Sequence, residues 1–387
     1  MSASKNALLA TFKHITRRAA GGSVPQITKP ILSAPMNGWS GNTLCAAVAN
    51  HGGLPVYPIG YYTDPDAIVK DLQSLVPLLK NIGTDKEPVA EEQFLPYAVG
   101  FVSFWLERQG PELLYRLLRG EADQPGRTSS PPRVPAAVWF AFGDYKPYLK
   151  LVREHGVKGT KIIVQVGSVT EALEAQEENV DVIVLQGTEA GGHGAQRVAP
   201  LMTLLPEAYH LLQKRANAAG SKLKMPAVLA AGGISTPIQF KAIELMGASG
   251  AVIGTGFMPT FEAPGPQNGK DILLAAVDGN ESTVRTRIFD ELREFDWPQG
   301  YDGRVVRNSV TRREEEDLKQ HGRYEQTGQA AFKLLNDERT GVREDYKRAV
   351  KENNWDLLPL WCGTGVGLLN KQVSAAEFMD SLLDNKQ

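Results

Sequence analysis

Apolar residues follow two alternating patterns along most of this chain. Short runs of strand length predict eight β-strands, at residues 30–34, 54–59, 97–102, 137–142, 161–166, 182–185, 227–231 and 251–253. Between them, longer stretches have the three-to-four-residue apolar spacing of amphipathic helices, at residues 65–80, 111–119, 145–155, 169–179, 201–219 and 237–246. Residues 46–49 belong to a further helix after the first strand.

This alternation predicts a parallel sheet, because strands joined by crossover helices run in the same direction. Eight strand–helix units favour closure of the sheet into a (β/α)8 TIM barrel of the α/β class, which we expect over residues 30–263. An open, doubly wound sheet is the alternative that the pattern alone leaves.

Two regions fall outside the repeat. Residues 120–135 are rich in Pro, Ser and Gly, which is typical of a surface loop. Residues 264–351 are polar and mostly helical in pattern, and we interpret them as a helical appendage over the barrel mouth. Within it, the charged run at 312–319 predicts a solvated helix face with ion pairs four residues apart. Residues 352–387 are expected to return to the barrel and to end in a short helix at 374–384.

The N-terminal segment, residues 1–29, is basic. No acidic residue precedes Asp64, whereas four Lys or Arg residues lie in the first eighteen positions. A mitochondrial presequence has this composition, and so does a short helix that plugs the bottom of a barrel. Because the first core strand begins near Pro30, little sequence is left for removal, and a cytoplasmic protein is the favoured interpretation.

The composition is that of a globular enzyme. The 387 residues are 42% hydrophobic and 22% charged, with a formal net charge of −2 and no basic stripe, which argues against nucleic acid or an anionic membrane as a partner. No apolar run reaches the length of about 18 residues that a membrane span needs. Cys45 and Cys362 are isolated thiols, which fits a reducing compartment. The oligomeric state stays open, with a homodimer as the candidate.

Unusual residues close or follow five of the predicted strands, at the end of the barrel where active sites form. They are Ala34-Pro35-Met36-Asn37-Gly38, Gln165, the run from Gln186 to Gly194, Ala231-Gly232-Gly233-Ile234-Ser235 and Gly254-Thr255-Gly256-Phe257. The last two, after the seventh and eighth strands, are typical of a phosphate site, because glycines let backbone N–H groups approach an anion closely. Ser235-Thr236-Pro237 then begins a helix whose N-terminal dipole would point at the ligand. The alternative is that both loops are only tight turns.

His193 is the strongest candidate for catalysis, because imidazole can accept and return a proton near neutral pH. It stands in Gly191-Gly192-His193-Gly194 without bulky neighbours, so we expect it to project freely into the cavity. The nearest acidic residue, Glu189, stands alone, and no His or Cys spacing suits a metal ion. The chain also has no Gly-x-Ser-x-Gly elbow, no Walker loop and no dinucleotide fingerprint opening a βαβ unit.

Together these motifs resemble the nitronate monooxygenases, formerly called 2-nitropropane dioxygenases. In the barrel, the resemblance is carried by Pro30-Ile31-Leu32-Ser33-Ala34-Pro35-Met36, Gln186 through Gly194, Ala230 through Ser235, and Gly254-Thr255-Gly256-Phe257. After the barrel, it continues in Thr283-Val284-Arg285-Thr286, Trp297-Pro298, Tyr301-Asp302-Gly303-Arg304 and residues 363–368. It covers nearly the whole chain from Pro30 onwards, and its motifs are specific as a set.

The resemblance implies an FMN enzyme that oxidises alkyl nitronates with O₂ to a carbonyl compound and nitrite, with His193 as the base. Ala34, Pro35 and Met36 would then lie against the flavin ring, Gln165 near its polar edge and Gly192 beside it. Gly232, Gly233, Gly254 and Thr255 would hold the FMN phosphate, and Asn37, Gln186 and Gly191 complete the expected FMN site. The partners would be a small-molecule substrate and O₂.

The chain departs from the family pattern at a few positions. Gly52-Gly53-Leu54-Pro55 replaces a common Gly-Gly-Leu-Gly, Cys362 and Thr364 are unusual in the closing segment, and Gln165 stands where some members have Lys. These departures leave the expected flavin site intact but weaken the inference about which substrate the enzyme uses. Four aromatic residues after or near the third and fourth strands suggest an aromatic-walled pocket, with ordinary barrel packing as the alternative: Phe101, Trp139, Phe140 and Phe142.

Two other functions stay open. Similar FMN barrels are reduced by NAD(P)H, as in quinone reductases and flavin-dependent enoyl-thioester reductases, and they have the same Gly-Gly-His run. A flavin-free binding or regulatory barrel with a vestigial phosphate site is the third hypothesis, against which the presence of His193 argues.

Overall fold

The fold is a closed barrel of eight parallel strands. The structure, a computed structural model, describes residues 2–19, 22–80, 94–123, 132–321 and 341–384. A hairpin of β1 (Thr16–Ala19) and β2 (Gly22–Pro25) precedes the barrel. The barrel strands are β3 (Ile31–Ser33), β4 (Leu54–Gly60), β5 (Phe94–Val102), β6 (Val134–Ala141), β7 (Lys161–Val166), β8 (Val182–Gln186), β10 (Ala227–Ala231) and β11 (Gly250–Ile253). The strand β9 (Gly192–Ala195) lies outside the barrel, in the loop after β8.

All eight strands expected from the sequence are present, and the predicted barrel is confirmed; the open sheet is not formed. Helices follow the barrel strands at Asn42–Asn50, Pro65–Leu75, Ser103–Gln109, Glu112–Leu118, Lys146–His155, Val169–Glu177, Leu201–Ala216 and Pro237–Leu245. Seven of them match helices expected from the periodicity, whereas Ser103–Gln109, directly after β5, was not expected. Short 3-10 turns lie at Val76–Leu78, Thr255–Phe257 and Thr364–Leu368, and the last helix is Ala375–Leu383.

The core has two layers because successive strand residues point to opposite faces. One layer, including Ile31 and Val138, packs against the surrounding helices. The other, including Leu32 and Trp139, fills the barrel interior. Leu8 and Phe12, on and just after the helix Ser2–Thr11, are fully buried within the interior layer, so this helix closes one end of the barrel as in the plug interpretation.

The appendage differs from the expected helical one. It has the helices Gln267–Ala275, Gly279–Ser282, Ile288–Arg293, Ser309–His321 and Val342–Glu352, but also two strands, β12 (Thr283–Thr286) and β13 (Tyr301–Val306). These form an antiparallel sheet in the order β12-β13-β9. The two strands were missed because they are short and polar, and their pairing depends on β9, a distant loop segment.

Glu314 is an exception to the solvated helix face expected at 312–319. Glu314 is only 3% exposed, because its face of the helix packs on the rest of the appendage. Two ion pairs of this helix reach other segments, from Arg313 to Asp345 and from Glu315 to Arg307.

The Pro- and Ser-rich loop predicted at 120–135 lies partly outside the described residues, at 124–131. Its two ends are joined by a buried ion pair between Arg133 and Asp123, with N···O 2.8 Å. No helix within the described ranges is long and apolar enough to cross a membrane.

Candidate active site

A cavity of about 240 Å³ opens at the carboxyl ends of the barrel strands. All thirteen residues that the sequence analysis assigned to the site line this one cavity. They are Ala34, Pro35, Met36, Asn37, Gln165, Gln186, Gly191, Gly192, His193, Gly232, Gly233, Gly254 and Thr255. The residues at the ends of five strands therefore lie together in one cavity, as expected. The roles assigned to them stay predictions.

The loop after β3 is shaped by its own hydrogen bonds. The Ser40 hydroxyl donates to the carbonyl oxygen of Ala34 at 2.9 Å and accepts from the Met36 N–H at 3.4 Å. These contacts fold residues 34–40 back on themselves and turn Ala34 and Met36 towards the cavity. The loop thus presents an apolar wall.

A chain of amide hydrogen bonds crosses the cavity wall to the catalytic candidate. Gln165 Nε2 donates to Gln186 Oε1 at 3.0 Å, and Gln186 Nε2 donates to the His193 carbonyl oxygen at 2.9 Å. Gln186 therefore fixes the backbone at His193. Because Nε2 of Gln165 is used in this hydrogen bond, the side-chain oxygen Oε1 of Gln165 is available to a ligand.

The glycine loops after the neighbouring strands β10 and β11 both line the cavity, and the closing segment, residues 363–368, contacts them. The Gly363 N–H donates to Thr255 Oγ1 at 2.9 Å, and Ser235 Oγ donates to the Gly365 carbonyl oxygen at 3.1 Å. Thr236 caps the helix Pro237–Leu245 in a capping box with Gln239, as the expected N-cap and following Pro require.

His193 is held firmly, and the expectation that it projects freely is wrong. Its ring stacks on Trp297 with centroids 3.7 Å apart and planes inclined by 4°, and Trp361 packs against it at 4.6 Å. Its Nε2 lies 2.7 Å from Oδ1 of Asp290, a carboxylate that is 1% exposed. The glycine frame leaves the space beside His193 empty of local side chains, and the appendage fills it.

Burial lowers the pKa of His193 below its usual value near 6.5, because the protonated ring is poorly solvated there. The hydrogen bond and the charge of Asp290 act in the opposite direction and raise this pKa. Burial is the larger effect, so the imidazole is neutral at pH 7 and can act as a base.

Strand pairing and side-chain hydrogen bonds join the loop that carries His193 to the appendage. In the sheet, Gly303 lies opposite His193 and Asp302 opposite Gly194. Arg285 pairs with Asp302 and also donates to the Ala195 carbonyl oxygen at 3.2 Å. Glu189, which looked isolated in the sequence, accepts from the Leu201 N–H at 2.9 Å and so caps the next helix.

Arg304 holds the start of the same loop, since its guanidinium donates to the Thr188 carbonyl oxygen at 3.1 Å. Arg287 holds the segment that carries Trp297, because it donates to the Trp297 carbonyl oxygen at 3.0 Å and to that of Tyr301 at 2.9 Å. Both arginines are therefore structural supports of the cavity.

Aromatic residues wall the cavity, although not quite the expected set. Three of the four predicted residues, Phe101, Trp139 and Phe142, line it. Phe140 does not, since it points to the helix layer and stacks on Tyr148 at 6.0 Å. Further aromatic lining comes from residues that the sequence analysis did not assign to the pocket wall: Tyr61, Trp39, Trp297 and Trp361.

Arg293 adds a positive charge to this wall. It lines the cavity and lies over the ring of Phe295 at 4.3 Å. Within the described residues, no carboxylate forms an ion pair with it. A cation without a carboxylate partner in a cavity is available to an anionic ligand.

The chain matches the family model of the nitronate monooxygenases over residues 23–385. The chain belongs to the nitronate monooxygenase family. One member, the nitronate monooxygenase npaC of Metarhizium robertsii, is 30% identical over 311 residues, which cover 78% of this chain and 79% of that protein. A probable nitronate monooxygenase of Bacillus subtilis is 26% identical over 374 residues, covering 92% and 95% of the two chains.

Solved structures agree with the barrel. FabK from Thermotoga maritima has a TM-score of 0.65 at 22% identity, with 92% of both chains covered. A nitroalkane oxidase from Streptomyces ansochromogenes has a TM-score of 0.61 at 22% identity, covering 92% of this chain and 95% of that one. At this level of identity the two structures support the fold of this nitronate monooxygenase family member and no more.

Several side chains of this candidate site were not identified from the sequence. Asp290 and Arg293 come from the polar appendage and Trp361 from the C-terminal return, and Trp297 was noted only as part of a family motif. A signal was present for Trp297, because a Trp in a charge-rich stretch has little reason to be there unless it packs on something distant.

Proposed function

We propose that this protein is an FMN-dependent monooxygenase that uses O₂ to oxidise alkyl nitronates to a carbonyl compound and nitrite. The observation that carries the proposal is the position of His193, stacked on Trp297, in the same cavity as the paired glycine loops. Membership of the nitronate monooxygenase family supports the substrate class.

The residues in the cavity fit FMN. Gly232 and Gly233 have φ of +126° and +70°, a backbone that lets successive N–H groups turn towards an anion. The N-terminus of the helix Pro237–Leu245 adds a positive dipole end beside them. The apolar wall at Ala34 and the available oxygen of Gln165 suit an amphipathic ring system.

FMN would be held by these loops, and when bound it supplies the electron acceptor that links the substrate to O₂. His193 takes the proton from the carbon that bears the nitro group, and the electron pair of that C–H bond stays on the substrate as the nitronate anion. A substrate that arrives as a preformed nitronate needs no such step. The aromatic wall keeps water away from the reacting carbon.

Arg293 would interact with the negative oxygens of the nitronate. Its guanidinium lines the cavity and already lies over Phe295, so it needs little reorganisation to meet an anion. Because a neutral nitroalkane lacks this charge, Arg293 would favour the nitronate.

The proposal is tested by an absorbance spectrum of the purified protein, followed by anaerobic additions of NADPH, NADH and then an alkyl nitronate to the same sample. We expect flavin bands that bleach with the nitronate and not with the nicotinamides. Rapid bleaching by NADPH or NADH would instead assign a reductase, the second function that the sequence leaves open. A colourless protein that takes up no added FMN would overturn the whole proposal.

A further inference from the structure

The contact between Asp290 and His193 defines which ring nitrogen is free. Nε2 of His193 lies 2.7 Å from Oδ1 of Asp290. A carboxylate can only accept a hydrogen bond, so Nε2 must carry the proton in this contact. In a neutral imidazole the other nitrogen, Nδ1, is then the unprotonated acceptor.

We propose that Asp290 is a positioning residue that fixes His193 as the Nε2–H tautomer, so that Nδ1 is the atom that takes the substrate proton. This inference rests on the proposed function, in which His193 is the base. When Nδ1 takes the proton the ring becomes an imidazolium, and the Asp290 carboxylate stabilises that positive charge at Nε2.

The burial of Asp290 argues for such a role. The residue is 1% exposed, and its second oxygen, Oδ2, has no hydrogen-bond partner among the described residues. A buried carboxylate that leaves one oxygen unsatisfied costs folding free energy. Asp290 lies in the first turn of the short helix Ile288–Arg293.

The surroundings of His193 leave Asp290 as its main anionic partner. Asp302 on β13 acts on the ring only through its charge and is already paired with Arg285. Arg293 opposes protonation of the ring by charge repulsion. The two aromatic rings against His193, Trp297 and Trp361, are uncharged.

The tautomer is tested by ¹⁵N NMR of the FMN-loaded enzyme labelled at histidine, with His193 assigned by the loss of its signal in His193→Asn. At pH 8 we expect a protonated Nε2 and an unprotonated Nδ1. In Asp290→Asn the side-chain amide can donate to Nε2, so the Nε2–H population should fall. A ring protonated at Nδ1 in the wild-type enzyme, or an unchanged spectrum in Asp290→Asn, would overturn the inference.

The pH profile separates a positioning role from a merely structural one. For a neutral nitroalkane, the maximal kcat/KM of Asp290→Asn should fall by about 10-fold or more, because the base is weakened. Its acid limb should move to lower pH, because the carboxylate that raised the pKa of His193 is gone. Turnover of the preformed nitronate should change less. A lower rate with an unmoved acid limb would mean that Asp290 only supports the fold.

Glu291→Gln is the matched control, because Glu291 is the next residue on the same helix and its nearest charged partner is Arg287, at 4.0 Å. We expect it to leave both the NMR spectrum and the pH profile unchanged. If the tautomer depends on Asp290 but no nitronate or nitroalkane is oxidised, the proposed function fails while the positioning by Asp290 stands. If nitroalkane oxidation proceeds equally in Asp290→Asn, only the role of Asp290 fails.

Discussion

The imidazole of His193 lies flat on the indole of Trp297, with ring centroids 3.7 Å apart and planes inclined by only 4°. His193 comes from the loop after β8, whereas Trp297 comes from the appendage, and Arg287 fixes the backbone at Trp297. The stack sets the plane of the ring, and the hydrogen bond to Asp290 sets its rotation within that plane. The barrel loop and the appendage therefore both contribute to the position and orientation of the His193 ring.

Replacing Trp297 tests whether this stack positions the base. In Trp297→Leu we expect kcat/KM for a neutral nitroalkane to fall by about 10-fold or more, because a small misplacement of a catalytic group is costly. Trp297→Phe should give an intermediate value, because a smaller aromatic surface remains. Bound flavin, measured by absorbance, should be unchanged. Trp355→Leu is the control, since Trp355 packs edge-on against Trp39 at 6.1 Å instead of His193; equal losses in both variants would refute the prediction.

His193→Asn should leave FMN bound but slow the turnover of neutral nitroalkanes by about 10²-fold or more, the usual effect of losing a general base. Activity on preformed nitronates should suffer less, because the proton has already left the carbon. Steady-state rates with both substrate forms check this difference. His155→Asn is a suitable control, because His155 is exposed and contacts only Tyr115 among the aromatic residues. An unchanged nitroalkane rate in His193→Asn would remove His193 from the mechanism.

The barrel could be predicted from the sequence because its signals are local. Each strand is a buried apolar run, and each glycine loop directly follows its strand, so chain position alone places Gly232 and Gly254 at the same end of the barrel. The same reasoning placed His193 in the cavity.

What holds His193 could not be predicted in this way. Asp290 and Trp297 reach it through the pairing of β13 with β9, and neither short strand has a clear alternating pattern. Glu314 was missed for a similar reason: in the sequence it is one acid in a charged run, and only the packing of the appendage shows that it is buried. Charge density along a chain does not indicate which member of a run faces inward.

Arg293→Gln should weaken binding of the anionic nitronate far more than that of a neutral nitroalkane. The lost charge-assisted contact should raise KM for the nitronate by about 10-fold or more. Steady-state kinetics with each substrate form at one pH measures the ratio. Arg343→Gln is the control, because the carboxylate described beside Arg343 is the exposed Glu294, at 3.7 Å. Equal changes in KM for both substrate forms would show that Arg293 contributes to the shape of the cavity but does not distinguish the anionic nitronate from the neutral nitroalkane.

Gly232→Ala should reduce the FMN content of the purified protein, measured as the flavin-to-protein absorbance ratio. Gly232 has φ of +126°, and an added Cβ would lie 3.0 Å from the Ala190 backbone nitrogen, so the loop must shift. Gly220→Ala is the matched control, since Gly220 also has a positive φ, +76°, but its Cβ would meet nothing within 4 Å. Full FMN content in Gly232→Ala would argue against a phosphate site in this loop.

Glu314→Gln should change how stability depends on pH. Burial raises the pKa of Glu314 to about 8 from its ordinary value near 4.5, and the only hydrogen bond described for its carboxyl group comes from the Thr286 hydroxyl. Between about pH 5 and 8 the unfolded chain loses this proton before the folded chain does, so the stability of the wild-type protein falls as the pH rises through that window.

Glutamine keeps the hydrogen bond and has no proton to lose. We therefore expect the Tm of Glu314→Gln to be close to that of the wild type at pH 5 and several degrees higher at pH 8, measured by thermal unfolding. Glu316→Gln removes an exposed carboxylate on the same helix that is not among the charges raising the pKa of Glu314, and its Tm should follow the wild-type pH dependence. If the Tm of Glu314→Gln instead changes with pH in the same way as that of the wild type, Glu314 is already ionised in the folded protein at pH 5. Polar groups of the appendage must then stabilise its carboxylate.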